Sequence, residues 1–190
     1  MSNQSKVYGF VRGKIEILDA DTSFARAGLA KLRRACGKPP AQTPEIWDIT
    51  LQGLPEDLYG REDEELAIHT ALTLYAIHAQ GKGKSMSKSG DDGLSFGAAC
   101  GELIRLDSNK EDSIKRRFKT AATATDFTEL AHHARGIIQM LKSADIVLDY
   151  PLFAKDLLRY RKGKSDDVRL QWGRDFYLKL SKQENEEENK

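Results

Sequence analysis

The chain has 190 residues, with 30 Lys and Arg against 29 Asp and Glu, a formal charge of +1, and 39% hydrophobic residues. That length allows one domain of ordinary size or two small ones, and the apolar fraction excludes a globally disordered chain. No run approaches the ~18 apolar residues of a membrane span, and the start MSNQSKVYGF lacks the basic-then-apolar pattern of a secretory signal; Cys36 and Cys100 stand apart, which argues against a disulfide framework or a cysteine zinc site and makes a cytoplasmic location the expectation.

The charge is unevenly spread. Gln183 to Lys190 holds four Glu and one Lys, so this tail carries −3 and reads as a disordered acidic end. The body, residues 1–182, has 29 basic against 25 acidic residues and carries +4.

In chain order, Val7, Tyr8, Val11, Ile15 and Leu18 recur at three- and four-residue steps and predict a first helix. Asp21 is the expected cap of a second, whose apolar face is Ala25, Gly28, Leu29, Leu32 and Cys36. Gly37 and Pro39-Pro40 end it, and Arg26, Arg33 and Arg34 fall on its far side. Residues 38–61 read as a proline- and glycine-punctuated connection with a helical turn around Trp47. Glu62 to Gln80 predicts a long helix with an acidic first turn, suited to the helix dipole, and an inner stripe of Leu66, Thr70, Thr73, Leu74 and Ile77. Residues 81–94, GKGKSMSKSGDDGL, read as a flexible loop.

Ser95 caps the next predicted helix, which runs to Leu106. Another starts near Ser108 or Ser113, with Ile114, Phe118, Ala121 and Ala122 inward, Lys115, Arg116 and Lys119 outward and Arg117 at the flank. The cleanest stripe is Phe127, Leu130, Ala134, Ile137, Ile138 and Leu141; His132, Arg135, Gln139 and Lys142 line another face of that helix. Pro151 is the expected first residue of a further helix, bearing a basic stripe of Lys155, Arg159 and Lys162. Val168, Trp172, Phe176 and Leu180 space a final helix. With no sustained two-residue alternation and no repeat, the expected fold is all-α: a compact helical bundle or two small helical halves joined near 81–94.

Enzymatic signatures are weak. Gly83-Lys84-Ser85 and Gly163-Lys164-Ser165 imitate a phosphate loop, but the glycine needed five residues earlier is His78 in one case and Leu158 in the other. His69, His78, His132 and His133 form no HExxH and no compact cluster with carboxylates, and adjacent His132 and His133 point about 100° apart on a helix. Glu62 to Glu65 read as a helix start. No catalytic residue, metal or cofactor is expected. The basic groups are more informative: Arg33, Arg34, Arg116, Arg117, Lys119, Arg135, Lys142, Lys155, Arg159, Arg161 and Lys162 lie on or beside polar helix faces. Long cations free to reach outward suit nucleic-acid phosphates without reading sequence. The alternative is a helical protein–protein adaptor; a nuclease with dispersed groups is the weakest reading.

An ordered set of segments then carries a resemblance. AKLRRA at 30–35 precedes the proline-rich connection and Trp47; LYAIHAQG at 74–81 and LSFGAA at 94–99 follow; IKRRF at 114–118, IVLDYPLFAKDLL at 146–158 and QWGRDFY at 171–177 complete it. Over roughly residues 25–182 the chain resembles CasB, the small subunit of the type I-E CRISPR surveillance complex Cascade. The resemblance implies an all-helical, non-enzymatic subunit of antiviral defence. It implies two copies packed head to tail beside the repeated backbone subunits that hold the guide RNA, and near the large subunit. There they hold the target and displaced DNA strands and stabilise the R-loop. The family's basic contacts carry over by position to Arg34, Arg117 and Arg161/Lys162, with Arg33 and Arg116 as neighbours. After RRF the chain departs from the family pattern with KTAATATD, and the segment before Asp21 and the acidic tail lie outside the resemblance.

Overall fold

The computed structural model describes residues 1–188, with side chains through Ser181. Among the described residues all extended secondary structure is helical, and one isolated parallel bridge joins Ser87 to Leu148. The all-α expectation is met. The acidic tail, 183–190, lies outside the residues whose side chains are described.

Helix α1 (Asn3–Leu18) buries Val7, Val11, Ile15 and Leu18, and Ser2 caps it by accepting the Ser5 N–H. Helix α2 (Ser23–Ala35) is capped by Thr22, one residue later than expected, because Thr22 adopts the extended backbone a cap needs and accepts the Ala25 N–H. Asp21 instead pairs with Arg26. Gly37, at φ 84°, takes the left-handed turn that stops α2. Helix α3 (Trp47–Thr50) is the single turn foreseen around Trp47.

Helix α4 (Glu62–His78) differs from its predicted one-sided stripe. Every residue from Ala67 to His78 is buried, because α1, α2, α7 and α8 enclose it. The segment AIHTALTLYAIH carries no Lys, Arg, Asp or Glu, so it loses little by being surrounded. Some of its polar atoms find partners inside: His78 Nδ1 lies 3.1 Å from the Tyr150 hydroxyl, and Tyr75 donates to Asp19, while His69 Nδ1 and His78 Nε2 are buried without a hydrogen bond.

Residues 81–94, read from sequence as a flexible loop, are tied to the core. Met86 is wholly buried, its carbonyl accepts the Leu148 N–H, and Leu94's carbonyl accepts the Asp149 N–H. One apolar side chain and a few backbone hydrogen bonds fasten a segment whose composition favours disorder.

Helices α5 (Phe96–Leu106) and α9 (Ser165–Glu188) pack together closely. The contact depends on Gly97, where a Cβ would lie 2.7 Å from the carbonyl carbon and 2.8 Å from the Cα of Trp172. Helix α6 (Glu111–Ala122) turns Ile114, Phe118 and Ala121 inward, as expected, and Phe118 stacks on Phe176. Helix α7 (Phe127–Ser143) buries the whole predicted stripe, and its cap, Asp126, accepts the Glu129 N–H. Helix α8 (Tyr150–Arg159) begins one residue before Pro151, with Asp149 accepting the Leu152 N–H as its cap. A kink at 160–164, with Gly163 at φ 77°, leads into α9. The buried core runs without a break from Val7 in α1 to Phe176 in α9.

Candidate nucleic-acid interface

The basic residues divide into free and engaged groups. Arg33, Arg34, Arg116, Arg117, Lys119, Arg135 and Lys155 make no side-chain hydrogen bond or ion pair among the described residues. Arg34, Arg116, Arg117, Lys119 and Arg135 are exposed, while Arg33 and Lys155 are half-buried. The remaining four candidates are engaged. Lys142 donates to Gln80 at 3.2 Å, and Arg159 pairs with Asp156 at 3.3 Å. Arg161 bonds Asp63 at 2.8 Å; Lys162 reaches Asp63 at 3.1 Å and Glu64 at 3.2 Å.

The engaged pair at 161–162 fixes the kink against the start of α4. Burial alone raises the Asp63 carboxyl, but hydrogen bonds from Lys162 and Arg161 hold it below the usual carboxylate range. The same bonds, from Asp63 and then Glu64, raise the Lys162 ammonium. The Glu64 side chain is wholly buried, and its other oxygen accepts from Asn3 at 2.8 Å. The Arg161 guanidinium also lies over the Phe127 ring, 5.7 Å from its centroid.

The structure brings Arg116, Arg117 and α7 together. Packing α6 beside α7 leaves a hollow of about 310 Å³ lined by Arg116, Arg117, Thr120, His132, His133 and Gly136. Arg117 reaches over Gly136, its Nη1 3.7 Å from where a Cβ would stand, an ordinary contact distance. The two imidazoles stand with centroids 5.4 Å apart. Two guanidiniums and the His132 ring at one hollow suit an oxyanion such as a phosphate, while His133 Nε2 lies 3.5 Å from the Glu129 carboxylate. Sequence reasoning placed His132 and His133 as surface or packing residues and missed their place opposite Arg116 and Arg117. The signal was present in part, since His132 and Arg135 share a predicted polar face.

Across α7 from that hollow lies an apolar groove of about 690 Å³. The Cys36–Ala41 segment, α3, α4 and α7 wall it, with Trp47, Leu66, Leu74 and Phe127 among its apolar lining. His132 borders both cavities, and Arg135 stands at the groove beside Cys36, whose thiol burial raises and Arg135 and a Thr73 hydrogen bond lower, for a net rise. Cys36 follows the end of α2 that carries Arg33 and Arg34, and neither of those arginines lines the groove. Lys155 and Arg159 are not joined to this surface by any described contact; they sit on α8, which packs on α1 and α4. Lys142 lies two turns beyond Arg135, ~10 Å along α7.

Neither GKS segment forms a phosphate cradle at the start of a helix that follows a strand. Among the described residues no group of three or more His, Cys, Asp or Glu is placed to hold a metal ion, and no helix is long and apolar enough to cross a membrane.

Comparison with known proteins follows the same lines. Residues 28–177 match the family model described as CRISPR-associated protein Cse2. No curated protein sequence gives a match. The structure is similar to the crystal structure of CasB from Thermobifida fusca, with 31% identity, a TM-score of 0.73, and coverage of 92% of this chain and 97% of that one. It is similar in fold to a Cse2-family protein from Thermus thermophilus, at 20% identity, TM-score 0.68, covering 93% and 99%. It is also similar in fold to a chain of a CRISPR RNA-guided surveillance complex, at 16% identity, TM-score 0.74, covering 97% and 99%.

Proposed function

The chain belongs to the Cse2 family of CRISPR-associated proteins, and from that premise we propose that it is the non-catalytic small subunit of a cytoplasmic RNA-guided surveillance complex, Cascade, where it grips nucleic-acid phosphates and stabilises the R-loop. Its partners in this reading are the repeated backbone subunit, the large subunit, a second copy of itself, the guide RNA and the target DNA. The observation that carries the reading is the α6–α7 hollow, where Arg116 and Arg117 face His132 and His133 without any carboxylate among the lining residues.

R-loop formation exchanges one duplex for another at nearly equal free energy. A few non-specific phosphate contacts therefore suffice to tip it, and a body of +4 supplies them locally. Arg34, Arg116, Arg117 and Arg135 carry the contact best, because no internal partner must be given up. Arg161 and Lys162 already neutralise Asp63 and Glu64, so a phosphate there competes with an existing pair.

Charge reversal at Arg116 and Arg117 in the assembled complex tests the reading. Each lost phosphate contact should reduce the slope of log affinity against log salt by about 0.9. Target affinity and R-loop lifetime equal to the parent complex would remove those residues from the interface.

A second reading, a protein–protein adaptor, draws support from α9. Leu170, Tyr177 and Leu178 there are 55%, 53% and 61% exposed. Spacing of seven and eight residues puts them on one side of the helix. An adaptor shows no salt-sensitive gel shift with DNA or RNA, alone or assembled.

A further inference from the structure

We propose that the apolar groove between α4, α7 and the Trp47 turn receives an unstacked base of single-stranded nucleic acid, while a neighbouring phosphate lies in the cationic hollow of Arg116 and Arg117 across α7. This inference rests on the nucleic-acid reading above and deepens it, from backbone contact alone to a preference for strands whose bases are free to turn out.

Three observations carry it. The first is the wall chemistry. Trp47 is 43% exposed at the groove, with its indole N–H held by the Pro40 carbonyl at 2.9 Å, so its ring is fixed by that bond yet accessible. Phe127 and Leu66 add apolar surface, while the buried Thr50 and Thr73 hydroxyls donate to the Ile46 and Thr70 carbonyls, so the wall offers stacking rather than base-edge recognition. An aromatic platform accepts any base, since every base has a π-face.

The second is the volume, about 690 Å³, within the range of clefts that hold small planar ligands. The third is the charge around the opening. Arg135 and Lys38 line it, and neither side chain has an ion-pair partner among the described residues. On the α4 side Asp63 is held by Arg161 and Lys162 outside the groove, while Glu65 accepts the Gly60 N–H at 2.7 Å and keeps its charge at the lining. Glu62 and Glu65 have no cationic partner there among the described residues and offset Lys38 and Arg135. The opening is therefore near-neutral, two cations against two carboxylates, and the unpaired positive charge lies one helix away, in the hollow of Arg116 and Arg117, with His132 bordering both. An apolar, uncharged group attached to a polyanion fits a near-neutral groove that opens one helix away from a cationic hollow. A carboxylate-bearing apolar peptide also meets Arg135, but leaves the cationic hollow unused.

The test uses Trp47 as its own reporter, because the other tryptophan, Trp172, is wholly buried. The full chain is titrated at low salt with a single-stranded thymidine 12-mer and with a 12-mer of abasic sugar phosphates. The thymidine strand should quench Trp47 fluorescence and bind roughly tenfold more tightly than the abasic one. Trp47→Ala should bring thymidine binding down to the abasic level and leave abasic binding unchanged. Trp47→Phe, which keeps a ring, should retain most of the preference and guards against a folding defect in the alanine variant. Equal affinity for both strands, still weakened by Arg117→Glu, overturns the base site and leaves the backbone reading standing. No binding of either strand overturns both. Quenching by an acetylated Phe-Leu-Asp peptide but by neither strand overturns the base site in favour of a docked protein segment.

Discussion

Replacing Gly97 by Ala isolates the α5–α9 contact. An alanine in the middle of a helix ordinarily stabilises by about 1 kcal/mol relative to glycine. At Gly97 the new methyl falls 2.7 Å from the Trp172 carbonyl carbon and 2.8 Å from its Cα, where ordinary contacts are beyond 3.4 Å. The obstructing atoms are backbone, so no rotamer change relieves them, and α5 and α9 must separate. Phe96, whose ring lies 4.8 Å from Trp172 and 5.1 Å from Phe153, moves with α5 and spreads the disturbance into the core. Overpacking of this kind costs about 3 kcal/mol, the upper end of the usual range. Subtracting the propensity gain leaves a loss of about 2 kcal/mol, or a fall in Tm of roughly 4–8 °C for a chain of this size. Gly173→Ala is the internal control. It lies inside α9 with nothing within 4 Å of a Cβ, so the same substitution should raise Tm by roughly 2–4 °C. Thermal melts followed by circular dichroism read both signs. A Gly97→Ala protein as stable as the parent, or more so, refutes the close approach of the two helices.

Other outcomes follow from buried polar groups. Burial lowers the His78 imidazole from 6.5 to about 4, so the unfolded chain binds its proton first; the stability it protects is complete above about pH 6.5 and falls as pH drops toward 4. Between about pH 7.5 and 5 the His78 contribution to that loss is about 2 kcal/mol, and urea unfolding of His78→Gln should show a correspondingly flatter pH profile. Trp172→Phe removes the 2.8 Å bond to the buried Asp156 carboxylate and should cost about 2–3 kcal/mol; a double-mutant cycle with Asp156→Asn should show a coupling above about 1 kcal/mol. Lys162→Met strips the cation from the buried Glu64 and should cost about 1–2 kcal/mol, less than for a fully buried pair because Lys162 is half exposed. Thermal stability of this variant equal to the parent would show that the kink is not held by that pair.

Secondary structure was legible because the chain writes it locally. The α7 stripe from Phe127 to Leu141 repeats at three- and four-residue steps and is buried as read. Caps and stops were read to within about three residues: the misses at Thr22 and Tyr150 are single-position choices between neighbouring residues able to start a helix, α4 stops two residues before Gln80, and α6 starts between Ser108 and Ser113. The cationic faces were legible too, since Arg116, Arg117 and Arg135 sit on polar faces of strongly patterned helices and remain unengaged among the described residues.

Tertiary structure decided what each of these features meets. Asp63 and Arg161 are 98 residues apart, so no sequence spacing could show that Arg161 and Lys162 are already paired. Met86 pins a segment of disordered composition because Leu148, far along the chain, offers it a backbone partner. The apolar groove is assembled from residues between Cys36 and Arg135, and His132 faces Arg116 and Arg117 only because α6 folds back on α7. Helix formation is governed by neighbours a few residues away, whereas the pairing of charges and the shape of a cavity are set by chain segments brought together from long range, and that information appears only when the helices pack.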